Sequence, residues 1–346
     1  MSTQKIESLE LLRLLATIGV IGDHVPLCTV KYFSDTATDM DKLIYFGCMM
    51  FCHWPVPVFM MITGYLMLNK KILDYPSIWK YFKRISILLL LFGFTFALME
   101  LYFNDKTFSL AMLQQASLNV LEGNTWKHLW YLYMLLGIYL ILPVLHSFIN
   151  TPPSADARKN LLLLTLIILF SSIIPFFNLH CGINFPLCSV YVAYAIIGFL
   201  LSKIGCQQIR KLTMGYIVSI MLVTFLLIFW EAYDLYINNI EWTLKMSPYT
   251  SPIIIVQSTC IFIIAMKMQP HIAKFVNNNI VKRLNRCSLG IYIIHMVWVN
   301  LALKVLHINI MTYNYAMIIV AIIVVFLLSW LTTEVMLRIP IIKKYL

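Results

Sequence analysis

Apolar runs about 20 residues long recur from one end of this chain to the other, and no other feature limits its fold so strongly. A backbone inside hydrocarbon must satisfy its own hydrogen bonds, so a run of that length becomes a membrane-crossing helix. The runs lie approximately at residues 8–28, 45–68, 79–103, 126–148, 160–177, 186–203, 212–230, 249–267, 288–306 and 315–336. Pro-rich or polar stretches at Thr151–Asp156, Asn178–Pro186 and Asn277–Asn279 fall between them. With 61% of residues hydrophobic and 12% charged, no stretch remains for a soluble domain. The expected fold is an all-α integral membrane protein of about ten transmembrane helices, a single domain over residues 1–346 in a lipid bilayer.

The positive charges orient these spans, because cytoplasmic loops keep an excess of Lys and Arg. With the N-terminus inside, 20 of the 26 Lys and Arg fall on the cytoplasmic side, leaving Lys31, Lys42, Lys106, Lys127, Lys245 and Lys304 outside. Both termini are therefore expected in the cytoplasm. The net charge of +11 reads as a topology signal, and no nucleic-acid partner is expected. The first apolar run has no small-residue cleavage site, so it is expected to remain as a span. Most of the eight cysteines sit within spans as small hydrophobes, while Cys181 and Cys188 flank an outer loop as either a free or a bonded pair. Cys48, Cys52 and His53 do not have a metal-ligand spacing, and no metal is expected.

Ionisable groups within spans are costly, so each marks a candidate site. His24 leads: Arg13 lies eleven residues before it, which is about three helical turns and about 16 Å along the axis. The two share one helix face and can line one tunnel. An imidazole there can take and return a proton near neutral pH, and a forked guanidinium near the cytoplasmic end can meet a phosphate. Equally, His24 can be a hydrogen-bonded bundle residue and Arg13 can snorkel to the headgroups. Asp23 adjoins His24, but neighbours on a helix point in different directions. His295, with Tyr292 one turn before it, reads as a satisfied core pair, and His53, before Pro55 and Pro57, as a kink with an interfacial anchor or as part of a polar cavity using the carbonyls these prolines free. Lys80, Lys83 and Arg84 form one basic helix face, by topology or to hold a polyphosphate.

These segments together resemble membrane acyltransferase family 3, whose members O-acylate sugars. The resemblance starts with Arg13 and His24, the arginine, ten residues, histidine signature of that family's first span. It continues through Val56–Leu66, with Thr63 where the family has serine, followed by Gly64 and Tyr65. His128–Leu132, including Trp130, opens the fourth span, Tyr194–Gly198 lies in the sixth, and Ser288, Gly290, Tyr292 and His295 close the pattern in the ninth. The family's arginine, two residues, arginine element is incomplete: Arg84 fits, but Ile87 occupies the second place.

The resemblance implies a bacterial plasma or inner-membrane enzyme that moves an acyl group, most often acetyl, from cytoplasmic acyl-CoA to a hydroxyl of a surface-polysaccharide sugar. No permanently bound cofactor is implied; acyl-CoA is the donor substrate. It further implies His24 as the catalytic residue, either a base for the acceptor hydroxyl or a transient carrier of the acyl group, and Arg13, Lys80, Lys83 and Arg84 as the donor-binding cations. Thr63, Tyr65, Trp130, Tyr292 and His295 would then support the cavity. A polysaccharide or small-solute transporter, or a succinyl-type transferase of the same family, is the alternative.

Overall fold

The computed structural model of the protein describes residues 7–105, 108–150, 165, 190–236, 245–276 and 278–346. Every regular element among them is helical. The expected span at 160–177, the Cys181 and Cys188 pair, and Lys106, Arg158 and Lys159 lie outside the described residues. Eight helical stretches are long and apolar enough to cross a membrane, and Val190–Ile204 is a shorter apolar one.

The chain groups into two compact units, Met1–Asn69 with Ser154–Thr333, and Lys70–Pro153 with Glu334–Leu346. At the centre of the first is α1 (Glu7–Tyr32), packed against α2 (Asp39–Phe51), α3 (Pro55–Met67) and two later helices. Five later helices, numbered after the three of the second unit, complete this unit: α7 (Val190–Lys211), α8 (Met214–Tyr236), α9 (Pro252–Val276), α10 (Asn279–Asn300) and most of α11 (Ala316–Met336). Helices α9 and α10 are the two later neighbours of α1. Ser8 at the start of α1 meets Gln269 of α9, and His24 meets His295 of α10, so α1 carries its whole length between these partners. Such enclosure explains why polar Asp23 is only 6% exposed.

The run expected at 45–68 is not one continuous helix. It starts earlier, at a Thr38–Asp41 capping box, and breaks after Phe51, where Pro55 opens α3 at a position that needs no backbone N–H. Gly19 and Gly22 of α1 lie three residues apart on one face and receive this corner: a Cβ at Gly19 would come 2.7 Å from Pro55 Cγ, and one at Gly22 2.9 Å from Cys52 Sγ. A second close approach joins α3 and α7. A Cβ on Gly64 would strike the Ala195 carbonyl, and one on Gly198 the Met61 carbonyl, so the two backbones touch reciprocally. Both glycines belong to motif segments singled out above, and packing gives them their reason.

In the second unit α4 (Tyr75–Asp105) packs against α5 (Leu110–Glu122) and α6 (Trp130–Asn150), with the short α12 (Pro340–Tyr345) also on α4. Reciprocal bonds between Asp74 and Ser77 start α4, and the Ser77 hydroxyl and N–H hold the Asp74 carboxyl below the usual carboxylate range. Helix α5 was not expected. It is amphipathic, begins at Ser109, whose hydroxyl accepts from Met112 N–H, and is too short to span. Helix α10 likewise starts nine residues before the expected 288, because the polar turns carrying Lys282, Arg283 and Arg286 keep helical hydrogen bonds beyond the apolar run.

Candidate active site

Helix α1 brings His24 to the level of His295, 271 residues later. His295 is fully buried, and its Nδ1 lies 2.6 Å from the carbonyl oxygen of Tyr292. A carbonyl only accepts, so Nδ1 of His295 carries the hydrogen and its Nε2 keeps the lone pair. That Nε2 is 3.1 Å from Nδ1 of His24, which also lies 2.9 Å from the Val20 carbonyl oxygen. Two acceptors therefore face Nδ1 of His24, and it is the donor. In neutral His24 the lone pair then stands on Nε2.

Nε2 of His24 is 3.8 Å from Oδ2 of Asp23, close enough for the carboxylate to stabilise an imidazolium. The other oxygen, Oδ1, is 3.2 Å from Nε2 of His53, at the corner between α2 and α3. Nδ1 of His53 donates to the Ser247 carbonyl over 2.8 Å. Ser247 is held in turn by Glu231 of α8, whose carboxylate accepts backbone N–H groups from Lys245, Met246 and Ser247. The site thus offers a histidine with a defined basic nitrogen, a buried carboxylate beside it, and a second histidine behind the carboxylate. This set can remove a proton from a weak nucleophile such as a hydroxyl.

The acyltransferase-domain family matches residues 6–334, nearly the whole chain. The chain belongs to acyltransferase family 3. No curated protein and no solved structure matches it. The family makes the protein an acyltransferase, and eight apolar helices make it a multi-pass membrane one, so the transport alternative gives way.

Within this acyltransferase, Tyr292 supports His295 through its carbonyl, and its ring centroid lies 6.0 Å from the imidazole. The Thr63 hydroxyl turns back to the Phe59 carbonyl of its own helix, and Tyr65 packs near Phe262. Arg13 lies half-buried near the start of α1, where its carbonyl accepts the Thr17 hydroxyl. In the second unit of the acyltransferase Trp130 opens α6, while Lys80 and Lys83 are exposed on α4. The Arg84 guanidinium donates to the Tyr345 carbonyl over 2.6 Å and to an oxygen of Leu346, tying α12 to α4.

Sequence reasoning passed over Asp23 and read His53 as an anchor. Two signals were available: glycines at i and i+3 in α1, where a neighbour must come close, and the helix break before Pro55. Trp126 was also missed in the second unit; it stacks on Phe96 at 4.4 Å and donates to Glu100.

Proposed function

We propose that this acyltransferase moves an acetyl group from acyl-CoA to a hydroxyl of a surface or lipid-linked sugar in a bacterial plasma membrane. Both termini are cytoplasmic in this reading, and the chain crosses about ten times. One observation carries the chemistry: the bonds at Nδ1 leave the base of His24 at Nε2, beside Asp23. The hydroxyl proton passes to Nε2 as the oxygen attacks the thioester carbonyl. The carbon–sulfur bond breaks, and His24 returns the proton to the departing thiolate, giving the ester and free CoA thiol. The test is thiol release by the purified protein in lipid vesicles supplied with acetyl-CoA and surface polysaccharide from the producing cell. Release should require the acceptor and be faster with acetyl-CoA than with succinyl-CoA. Absence of thioester consumption with either donor would overturn the reading, and a preference for succinyl-CoA would replace the acetyl assignment.

Arg13 supports donor binding in this reading, since it lies about 16 Å along α1 from His24. A charge-assisted phosphate contact is similar in the ground and transition states, so its loss weakens binding more than it slows the bound reaction. Arg13→Ala should raise the apparent KM for acyl-CoA about 10 to 100-fold, for a contact of about 1.5 to 3 kcal/mol, with kcat little changed. An unchanged KM would leave Arg13 as a topology residue. For the second unit we propose that Lys80, Lys83 and Arg84 form a phosphate-binding face on α4. The Arg84 bonds to Tyr345 and Leu346 leave the two exposed lysines as its accessible charges.

A further inference from the structure

Asp23 cannot orient His24 unaided. Adjacent residues on a helix project about 100° apart, so a carboxylate next to a histidine in sequence reaches its ring only if something else fixes the rotamer. The structure supplies that fixture from outside α1, at the corner between α2 and α3. His53 stands 3.2 Å from Oδ1 of Asp23, leaving Oδ2 as the oxygen nearer His24. Both ring nitrogens of His53 face oxygen, the Ser247 carbonyl at 2.8 Å and the Asp23 carboxylate. With Nδ1 donating to the carbonyl, a proton must also lie between Nε2 and Asp23, whichever of the two holds it. The pair is then neutral as a whole, which suits a carboxylate 6% exposed inside a membrane bundle.

What holds His53 is itself fixed. Gly19 and Gly22 admit the corner to α1, Pro55 sets the start of α3, and the three N–H bonds to Glu231 pin the backbone that carries the Ser247 carbonyl. Among the described residues this carboxylate, 4% exposed, is held by three backbone N–H groups of one loop, an arrangement that crossing a membrane does not need. It does make that carbonyl a rigid acceptor.

We infer that His53 is a positioning residue: it fixes Asp23 so that Oδ2 remains beside Nε2 of His24 while that nitrogen takes the acceptor's proton. This rests on the reading of His24 as general base. The role separates the two nitrogens of His53. The contact through Nε2 serves the reaction, whereas the contact through Nδ1 serves only to hold the ring.

Substitutions can restore one contact at a time. A glutamine amide nitrogen reaches the place of Nε2, and an asparagine amide nitrogen that of Nδ1. The full-length protein is reconstituted with acetyl-CoA and acceptor, thiol release is followed, and monodispersity in detergent serves as the folding control. His53→Leu should lower kcat about 100-fold with the KM for acetyl-CoA within about 3-fold of wild type. His53→Gln should recover most of that loss, and His53→Asn should stay low. Recovery by asparagine, alone or with glutamine, or a wild-type kcat for His53→Leu, would overturn the inference. Should His53→Leu fail to fold, the isosteric Asp23→Asn decides: a similar kcat loss supports the assignment and a wild-type kcat removes it. His24→Ala run alongside keeps the two ideas apart. If it stays active, the general-base reading fails; if it is inactive while Asp23→Asn and His53→Leu are normal, only the positioning role fails.

Discussion

His24→Ala is expected to lower acyl transfer about 100 to 10,000-fold while the protein still folds and inserts. A sugar hydroxyl is a weak nucleophile at its free pKa, so removing the group that takes its proton leaves only binding and orientation to drive the reaction. The fold should tolerate the change because the His24 side chain is partly exposed within the site and alanine suits the same helix. The loss should appear in kcat, since the proton moves only in the transition state. Thiol release from acetyl-CoA, with a binding measurement for the donor, separates the two constants. Wild-type transfer by a well-folded His24→Ala protein would shift the role to His295, whose Nε2 keeps its lone pair 3.1 Å from the His24 ring.

The largest structural effect is expected at the crossing of α3 and α7. Gly64→Ala and Gly198→Ala each place a methyl group into the opposing backbone carbonyl, Ala195 in one case and Met61 in the other. A flexible side chain could turn aside, but a carbonyl within a helix cannot, so the helices must separate along their contact. Overpacking of this kind costs about 1 to 3 kcal/mol, and here two rigid backbones share the strain. Either variant should unfold at clearly lower temperature in detergent, and Gly64→Val should not yield monodisperse protein. Gly137→Ala is the control: among the described residues nothing lies within 4 Å of its added Cβ, and alanine is the better helix former by about 1 kcal/mol. A Gly64→Ala protein as stable as the Gly137→Ala protein would show that the helices do not meet as described.

The spans were legible because hydrocarbon thickness sets their length, and helix starts at 7, 214 and 316 fall close to the apolar runs. Hydropathy did not reveal α5, which is amphipathic, nor the break between α2 and α3, where an apolar sequence continues through a change of direction. His24 and His295 stood out because ionisable groups are rare in spans. Their contact did not, since 271 residues separate them and only the packing of α10 on α1 joins them. Asp23 was visible but judged by its own helix, on which it points away from His24. Its contact with His53 was not visible there, because His53 comes from the corner between α2 and α3. The bond that the Thr63 hydroxyl donates to the Phe59 carbonyl of α3 was likewise not visible in the sequence, and it leaves the oxygen able to accept.

Helix α1 contains Pro26, two residues beyond His24. Proline has no N–H, so the rung that would tie residue 26 to the carbonyl of Gly22 is missing. Helices bend most readily where a rung is lost, and here that place falls beside His24. Residues on both sides of the gap stay enclosed, Ala16 and Ile21 before it and Thr29 and Val30 after it, so the weak rung is held by neighbouring helices rather than by its own.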